Sequence, residues 1–357
     1  MELRRDYIGE ETVDTVYFGG GTPSLLDTGA LGLILDRIRT LFRLDPEAEI
    51  TLEANPDDIT AERLAGWRAA GINRLSIGVQ SFFEADLRWM NRAHDAGQAI
   101  DSIRLAQKEG FEHISIDLIY GGPTLPDDHW QRNVEAAIGL QLPHLSCYAL
   151  TVEPKTALDN MIRKGNATDV NPDDQARQFL LLMDWLGKAG YEHYEISNFA
   201  MPGKRSRHNS SYWQGKPYLG LGPSAHSFDG VSRQWNVANN AKYVAALGGE
   251  GGGAAGSGEA REWGDAVGGG AGFIGGREEL TTVQQLNEYI MISLRTMEGS
   301  SLSTVAKRFG AQQAEELWRR AERYMSEGKI KSSPETLALT QEGKLLADGI
   351  AADLFFD

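Results

Sequence analysis

Cysteine is nearly absent from this 357-residue chain, with Cys147 the only one. A single thiol excludes an intrachain disulfide and points to a reducing compartment, the cytoplasm. Long apolar runs are missing as well: no stretch of eighteen apolar residues occurs, so no membrane-spanning helix is expected. The opening MELRRDYIGE has no apolar core of a secretory signal, so no leader is expected. Positive charge is in deficit. A formal net charge of -15 argues against broad attraction to nucleic acid or anionic lipid. The sequence contains no HExxH, no G-x-S-x-G and no Gly-rich loop ending in GK[ST], the usual marks of zinc-protease, serine-elbow and P-loop chemistry.

What is present is a rhythm. Apolar strand candidates at Val13–Phe18, Glu49–Glu53, Arg74–Val79, His113–Tyr120 and Leu145–Leu150 alternate with helical patterns near 28–43, 60–70, 97–109, 128–139 and 172–189. That alternation predicts an α/β fold, a parallel sheet covered by helices, over residues 1–200. The strand ends read GGGTP, EANP, GVQSF, DLIYG and ALTVE. Ligands of parallel sheets sit beyond the carboxyl ends of the strands, and the polar clusters fall there. Residues 201–247 form an extension containing the aromatic loop HNSSYW. The stretch 248–276 holds 14 glycines in 29 positions, a composition that predicts a flexible linker or insertion. Residues 277–357 recover helical patterning and predict a small helical, winged-helix-like domain. Over 281–357 the net charge is -2, which favours a structural or docking role over DNA reading.

Several residues stand out, each with an ordinary alternative. Gly19-Gly20-Gly21-Thr22-Pro23 lets backbone groups approach a ligand, yet equally makes a tight turn. Glu53 suits a ribose diol or an ammonium, and Asn55-Pro56 beside it suits turn formation. Gln80 can read a hydroxyl, and Arg92 can clamp a carboxylate or form a surface ion pair. Asp117 is sharper, because a carboxylate inside the apolar strand ISIDLIY needs a partner or a ligand. His208, Asn209, Tyr212, Trp213 and His226 suit a flat macrocycle through axial ligation or stacking, and suit plain packing as well. Cys147 in LSCYAL reads as a small buried hydrophobe.

Taken in order, YFGGGTPSLL, LEANPDD, RLSIGVQSF, MNRAH, SIDLIYGGP and YALTVEP resemble the radical S-adenosylmethionine (SAM) proteins of the oxygen-independent coproporphyrinogen oxidase-like group. RHNSSYWQGKPYLGLGPSAHS narrows the resemblance to its heme-chaperone branch. The resemblance spans about residues 3–247 and 280–357. It implies a partial (β/α)6 barrel with a C-terminal helical domain, a [4Fe-4S] cluster on three cysteines, and SAM on that cluster. By position, Gly21 and Thr22 would hold the methionine end of SAM and Gln80 its polar edge. Glu53 would lie near the cofactor, Arg92 would pair with its carboxylate, Asp117 would take a ribose hydroxyl, and the backbone at Thr151 would approach adenine. The His208–Trp213 segment matches the branch's heme loop.

Two departures follow. The family's first strand and CxxxCxxC loop have no counterpart, since Met1–Arg5 resembles the end of the family's first helix. The barrel is therefore expected to lack its first strand, leave Val13–Phe18 as an open edge, and hold no cluster. The glycine-rich 248–276 stretch is the second departure. The implied function is binding of heme and its transfer to an acceptor such as a respiratory protein, with no radical chemistry from this chain. The alternative is oxidative decarboxylation of coproporphyrinogen III.

Overall fold

The computed structural model describes residues 1–248, 271–333 and 335–357. Strands β1 (Val13–Phe18), β2 (Leu44–Ala54), β3 (Arg74–Gln80), β4 (His113–Tyr120) and β5 (His144–Ala149) pair in parallel in chain order. Two short strands, β6 (Glu192–Glu195) and β7 (Asn198–Ala200), add antiparallel beyond β5. The result is a curled seven-stranded half-barrel in the order β1-β2-β3-β4-β5-β7-β6. The sequence rhythm had placed five strands and five helices of this unit, with boundaries shifted mainly at β2, whose first residues are polar.

The crossovers are α1 (Thr28–Leu41), α2 (Ala61–Ala70), α3 (Glu84–Trp89), α4 (Ala96–Lys108), α5 (Asp127–Gly139), α6 (Ala157–Arg163) and α7 (Pro172–Lys188). Local chemistry starts several of them. The Asp27 carboxylate accepts the Ala30 N–H, Thr60 accepts that of Arg63, and Asp95 with Gln98 forms a reciprocal capping box. Leu31, Leu35, Leu64, Trp67, Ile103, Trp130 and Leu182 then press against Ile50, Leu52, Leu75, Ile77, Ile114, Ile116, Leu145 and Cys147. Each such burial contributes roughly 1.5–3 kcal/mol before chain entropy is counted. Cys147 is 1% exposed in this core, as its strand context predicted.

The other face of the sheet is polar. Strand register sets Thr15 beside Glu49, Thr51 beside Arg74, Ser76 beside Ser115, and Asp117 beside Ser146. A period of two sends one set of side chains to the helices and its alternates into the concave interior. β1 ends the sheet with a strand partner on one side only, the open edge expected from the sequence. Against it packs α8 (Arg207–Trp213), the segment read from sequence as a loop. Its helix start is held by Ser206, whose hydroxyl accepts the Asn209 N–H, and by a carboxylate on a distant strand described below.

A small antiparallel sheet follows, β8 (His226–Phe228), β9 (Ser232–Asn236) and β10 (Ile274–Glu279), with α9 (Asn240–Leu247) between β9 and β10 in the chain. Of the glycine-rich 248–276 stretch, residues 249–270 lie outside the described residues, and its last three belong to β10. The C-terminal unit comprises α10 (Thr282–Leu294), β11 (Ser300–Ser301), α11 (Leu302–Phe309), α12 (Ala311–Ser326), β12 (Ile330–Ser332), β13 (Thr336–Leu339), α13 (Gln341–Lys344) and α14 (Ala347–Asp353). Three strands in the order β11-β13-β12 and a helix pair joined at Gly310, φ 114°, make a winged-helix-like arrangement around Leu286, Ile290, Leu317 and Leu337. It is tied to the half-barrel by Arg205, which bonds Glu192 and Glu298, and by Lys344 Nζ at 2.9 Å from His193 Nδ1. No helix among the described residues is long and apolar enough to cross a membrane.

Candidate functional site

The sheet's carboxyl edge begins with the glycine run after β1. Gly20 and Gly21 take φ of 75° and 61°, a left-handed backbone that side chains disfavour. Gly19 is required for a different reason: a Cβ there would stand 2.5 Å from the Tyr17 ring and 2.9 Å from Glu53 Oε1. The loop therefore lies flat on these two side chains. Glu53 accepts the Tyr17 hydroxyl at 2.6 Å and the Gly20 N–H at 3.1 Å. Burial, and then the Glu53 carboxylate, push the Tyr17 phenol well above its ordinary pKa. Thr22 directly precedes the turn Pro23–Leu25.

Gln80 ends β3 with φ 68° and is buried, an uncommon backbone state for a non-glycine residue. Twelve residues on, Arg92 lies on an exposed turn and makes no salt bridge among the described residues. The turn is fixed from beneath by His94, buried, whose Nε2 meets the Val79 carbonyl at 3.0 Å. Farther below, Ser81 and Thr124 both donate to the buried Asp86 carboxylate, at 2.8 and 2.7 Å. Asp117 is partly buried and also without a salt-bridge partner. Burial and the nearby Glu53 raise its pKa to about 7, with Ser146 and Arg92 opposing. Thr151 is exposed just past β5. Gly21, Thr22, Glu53, Gln80 and Thr151 thus sit at or just past strand ends, Asp117 lies within β4, and Arg92 follows α3.

Beneath this edge stands α8. The His208 ring stacks on Tyr17 at 4.6 Å and 13°, and meets Tyr212 edge-on at 5.1 Å. Tyr212 touches Tyr218 at 4.9 Å, and Tyr218 touches Phe228 at 6.2 Å, so rings run from the barrel interior to the small sheet. His208 Nδ1 is 2.9 Å from the Thr15 hydroxyl, while Nε2 has no hydrogen bond among the described residues. Burial lowers the His208 pKa to about 4, against a raising influence of Glu49. His208 is therefore neutral at pH 7. The Asn209 side chain makes no hydrogen bond among the described residues, its backbone N–H donating to the Ser206 hydroxyl, and Trp213 lies under Arg295 at 5.5 Å. His226 is separate from the α8 rings: it is exposed and stacks on Trp235 at 6.0 Å.

Three residues of this site escaped the sequence reading. Tyr17 bridges the two regions. Glu49 accepts the N–H groups of His208 and Arg207 at 2.9 and 3.1 Å and the Ser206 hydroxyl at 3.2 Å. Arg74, 2% exposed, donates to Ser115 at 2.6 Å and lies 3.6 Å from Glu49. Their signal was present as polar alternation within the strands (Thr15 and Tyr17, Glu49 and Glu53, Arg74 and Ser76), which marks a polar interior face.

The residues do not fit a [4Fe-4S] cluster: Cys147 points into the helix-facing core, and no group of three His, Cys, Asp or Glu among the described residues could hold a metal ion. They do fit SAM, a zwitterionic nucleoside, since Arg92 and Asp117 carry opposite charges, feel each other electrostatically and make no salt bridge among the described residues, and Gly20 and Gly21 leave open space.

A family model described as the radical SAM superfamily matches residues 2–137, and the HemN C-terminal domain matches 280–346. The heme chaperone HemW of Mycobacterium tuberculosis H37Rv is 37% identical over 354 residues, covering 99% of this chain and 84% of that protein. HemW of Bacillus subtilis is 32% identical, covering 96% and 85%. Among solved structures, Escherichia coli coproporphyrinogen III oxidase, HemN, superposes with a TM-score of 0.79 at 22% identity, covering 99% of this chain and 80% of that one. At that identity the likeness concerns the fold alone.

Proposed function

The chain belongs to the HemW family of radical SAM proteins, and from that membership we propose that it binds heme and passes it to an acceptor protein, with SAM held above the heme site. The observation that carries the heme reading is His208. An axial ligand must be neutral, oriented through one ring nitrogen and free at the other. His208 has its pKa at about 4, its Nδ1 against Thr15 and its Nε2 free, with Tyr17 and Tyr212 flanking the ring. Tyr212 and Trp213 on the same helix supply apolar surface for a flat macrocycle. His226, exposed on Trp235, is the weaker candidate.

For SAM, Arg92 would pair with the carboxylate, Asp117 and Glu53 would meet the ribose or ammonium, and Gly21, Thr22 and Thr151 would offer backbone groups. Gln80 would contact the polar edge. When bound beside a cluster, SAM supplies a reductively cleavable sulfonium, and one cysteine cannot supply the three thiolates of that cluster. The reading is therefore a binding and transfer scaffold located in the cytoplasm, with heme-acceptor respiratory proteins as the partner class. A heme titration followed at the Soret band tests it, with His208→Ala, His226→Ala and the double variant. Saturable binding lost in His208→Ala and kept in His226→Ala is the expected result. A parent protein without a saturable Soret change removes the proposal.

A further inference from the structure

We propose that Tyr17 couples the two ligand sites, so that a nucleoside bound at the carboxyl edge weakens the hold on heme at α8. The inference rests on the heme and SAM reading above and adds a regulatory connection to it. Tyr17 touches both regions directly: its hydroxyl donates to Glu53 at 2.6 Å, and its ring carries His208 at 4.6 Å. Both contacts lie inside the half-barrel, because Tyr17 and Glu53 project from adjacent strands toward the polar face.

Glu53 is engaged at both carboxylate oxygens by its own chain. One carboxylate oxygen takes the Tyr17 hydroxyl and the other the Gly20 N–H. A ribose diol or ammonium arriving at Glu53 adds a donor to the same two oxygens and draws the carboxylate toward itself. Drawing Glu53 toward the ligand takes from Tyr17 the acceptor that fixes its ring. That phenol is strongly held as the neutral donor, so a lost acceptor is not replaced by ionisation. The ring then loses its fixed orientation, and His208, positioned by that stack and by Thr15, loses half of its alignment. Tyr17 is thus a positioning residue rather than a ligand. Thermodynamic linkage requires the reverse effect: heme must weaken nucleoside binding by the same factor.

The test uses the chain itself, with heme affinity read from the Soret band at zero and at saturating SAM. Wild type should lose heme affinity by about five- to a hundredfold when SAM is present. Tyr17→Phe keeps the ring and removes the hydroxyl. It should bind heme as weakly as SAM-saturated wild type, about five- to a hundredfold below the SAM-free parent, and show no further SAM effect, since no bond to Glu53 remains to be broken. A calorimetric SAM titration with and without heme should return the same factor in wild type. Equal heme affinity with and without SAM in wild type overturns the coupling, as does an undiminished SAM effect in Tyr17→Phe. Failure of the parent to bind heme at all sinks the underlying reading instead, and is told apart because it occurs before SAM is added.

Discussion

The Glu49 carboxylate on β2 reaches across 159 residues of sequence to accept the His208 N–H at 2.9 Å, so a strand inside the half-barrel starts the helix that carries the candidate heme ligand. A side-chain acceptor at a helix start replaces the missing backbone partner of the first N–H groups. Here it does so from a strand, and buried Arg74 balances its charge.

Removing that acceptor should be costly. In Glu49→Ala, Arg74 keeps its positive charge in an almost fully buried position with only Ser115 to receive it. Breaking a buried pair in this way costs about 3–5 kcal/mol. Urea unfolding should show that loss as a lower midpoint with an unchanged slope, and the Soret response should fall with it. An unfolding free energy within about 0.5 kcal/mol of the parent refutes the anchoring role.

Iron–sulfur reconstitution of this chain should yield no stable [4Fe-4S] centre. The single thiol is 1% exposed, and burial drives its pKa upward, away from the thiolate that iron requires. Iron and sulfide analysis, with electron paramagnetic resonance after reduction, checks this. About four irons per chain with a cluster signal would contradict the ligand count.

Asp117→Asn should stabilise the free protein above pH 7 while weakening SAM. The folded pKa, raised to about 7, exceeds the unfolded carboxyl value. The carboxyl's contribution is therefore fully present below pH ~4 and is lost as pH rises through about 7. An amide has no charge to bury, so the gain at pH 8 is on the order of 1–4 kcal/mol. Nucleoside affinity should drop roughly ten- to a hundredfold. Thermal melts at pH 5 and pH 8, paired with calorimetric SAM titration, read both effects. Equal melting shifts at the two pH values would show that Asp117 does not titrate there.

Heme affinity should stay level from pH 8 to about 5 and fall only near 4, because His208 stays neutral over that range. The sign is that of a lowered pKa: the neutral ring's contribution is present above the ordinary histidine value and is lost as pH falls through about 4. A Soret titration across pH with a midpoint near 6.5, the ordinary histidine value, would take His208 out of the axial position.

Arg92→Ala should weaken SAM binding by roughly ten- to a hundredfold and leave the melting temperature unchanged at pH 5, where Asp117 is protonated, since Arg92 is exposed and makes no salt bridge among the described residues. Calorimetry giving wild-type affinity would take it out of the site.

Strand and helix positions in the half-barrel were legible because apolar periodicity is a local property, and capping residues such as Asp27, Thr60 and Asp95 stand next to the helices they start. The polar strand ends were legible for the same reason, as was the shortage of thiols. The sequence could also mark Asp117 as out of place, because a carboxylate among Ile and Leu is anomalous wherever the strand goes. What it could not decide was which distant groups meet. Segment His208–Trp213 has too few residues to form a stable helix alone and reads as a loop. It becomes a helix because Glu49 and Ser206 satisfy its first N–H groups, and those contacts exist only once β2 is curled against β1. Tyr17 likewise reads as one more aromatic in an apolar strand, until the inward turn of β1 sets its hydroxyl on Glu53 and its ring on His208. Periodicity fixes which face a side chain takes, but partners 36 and 191 positions apart are chosen by sheet register and curvature, which are properties of the assembled chain.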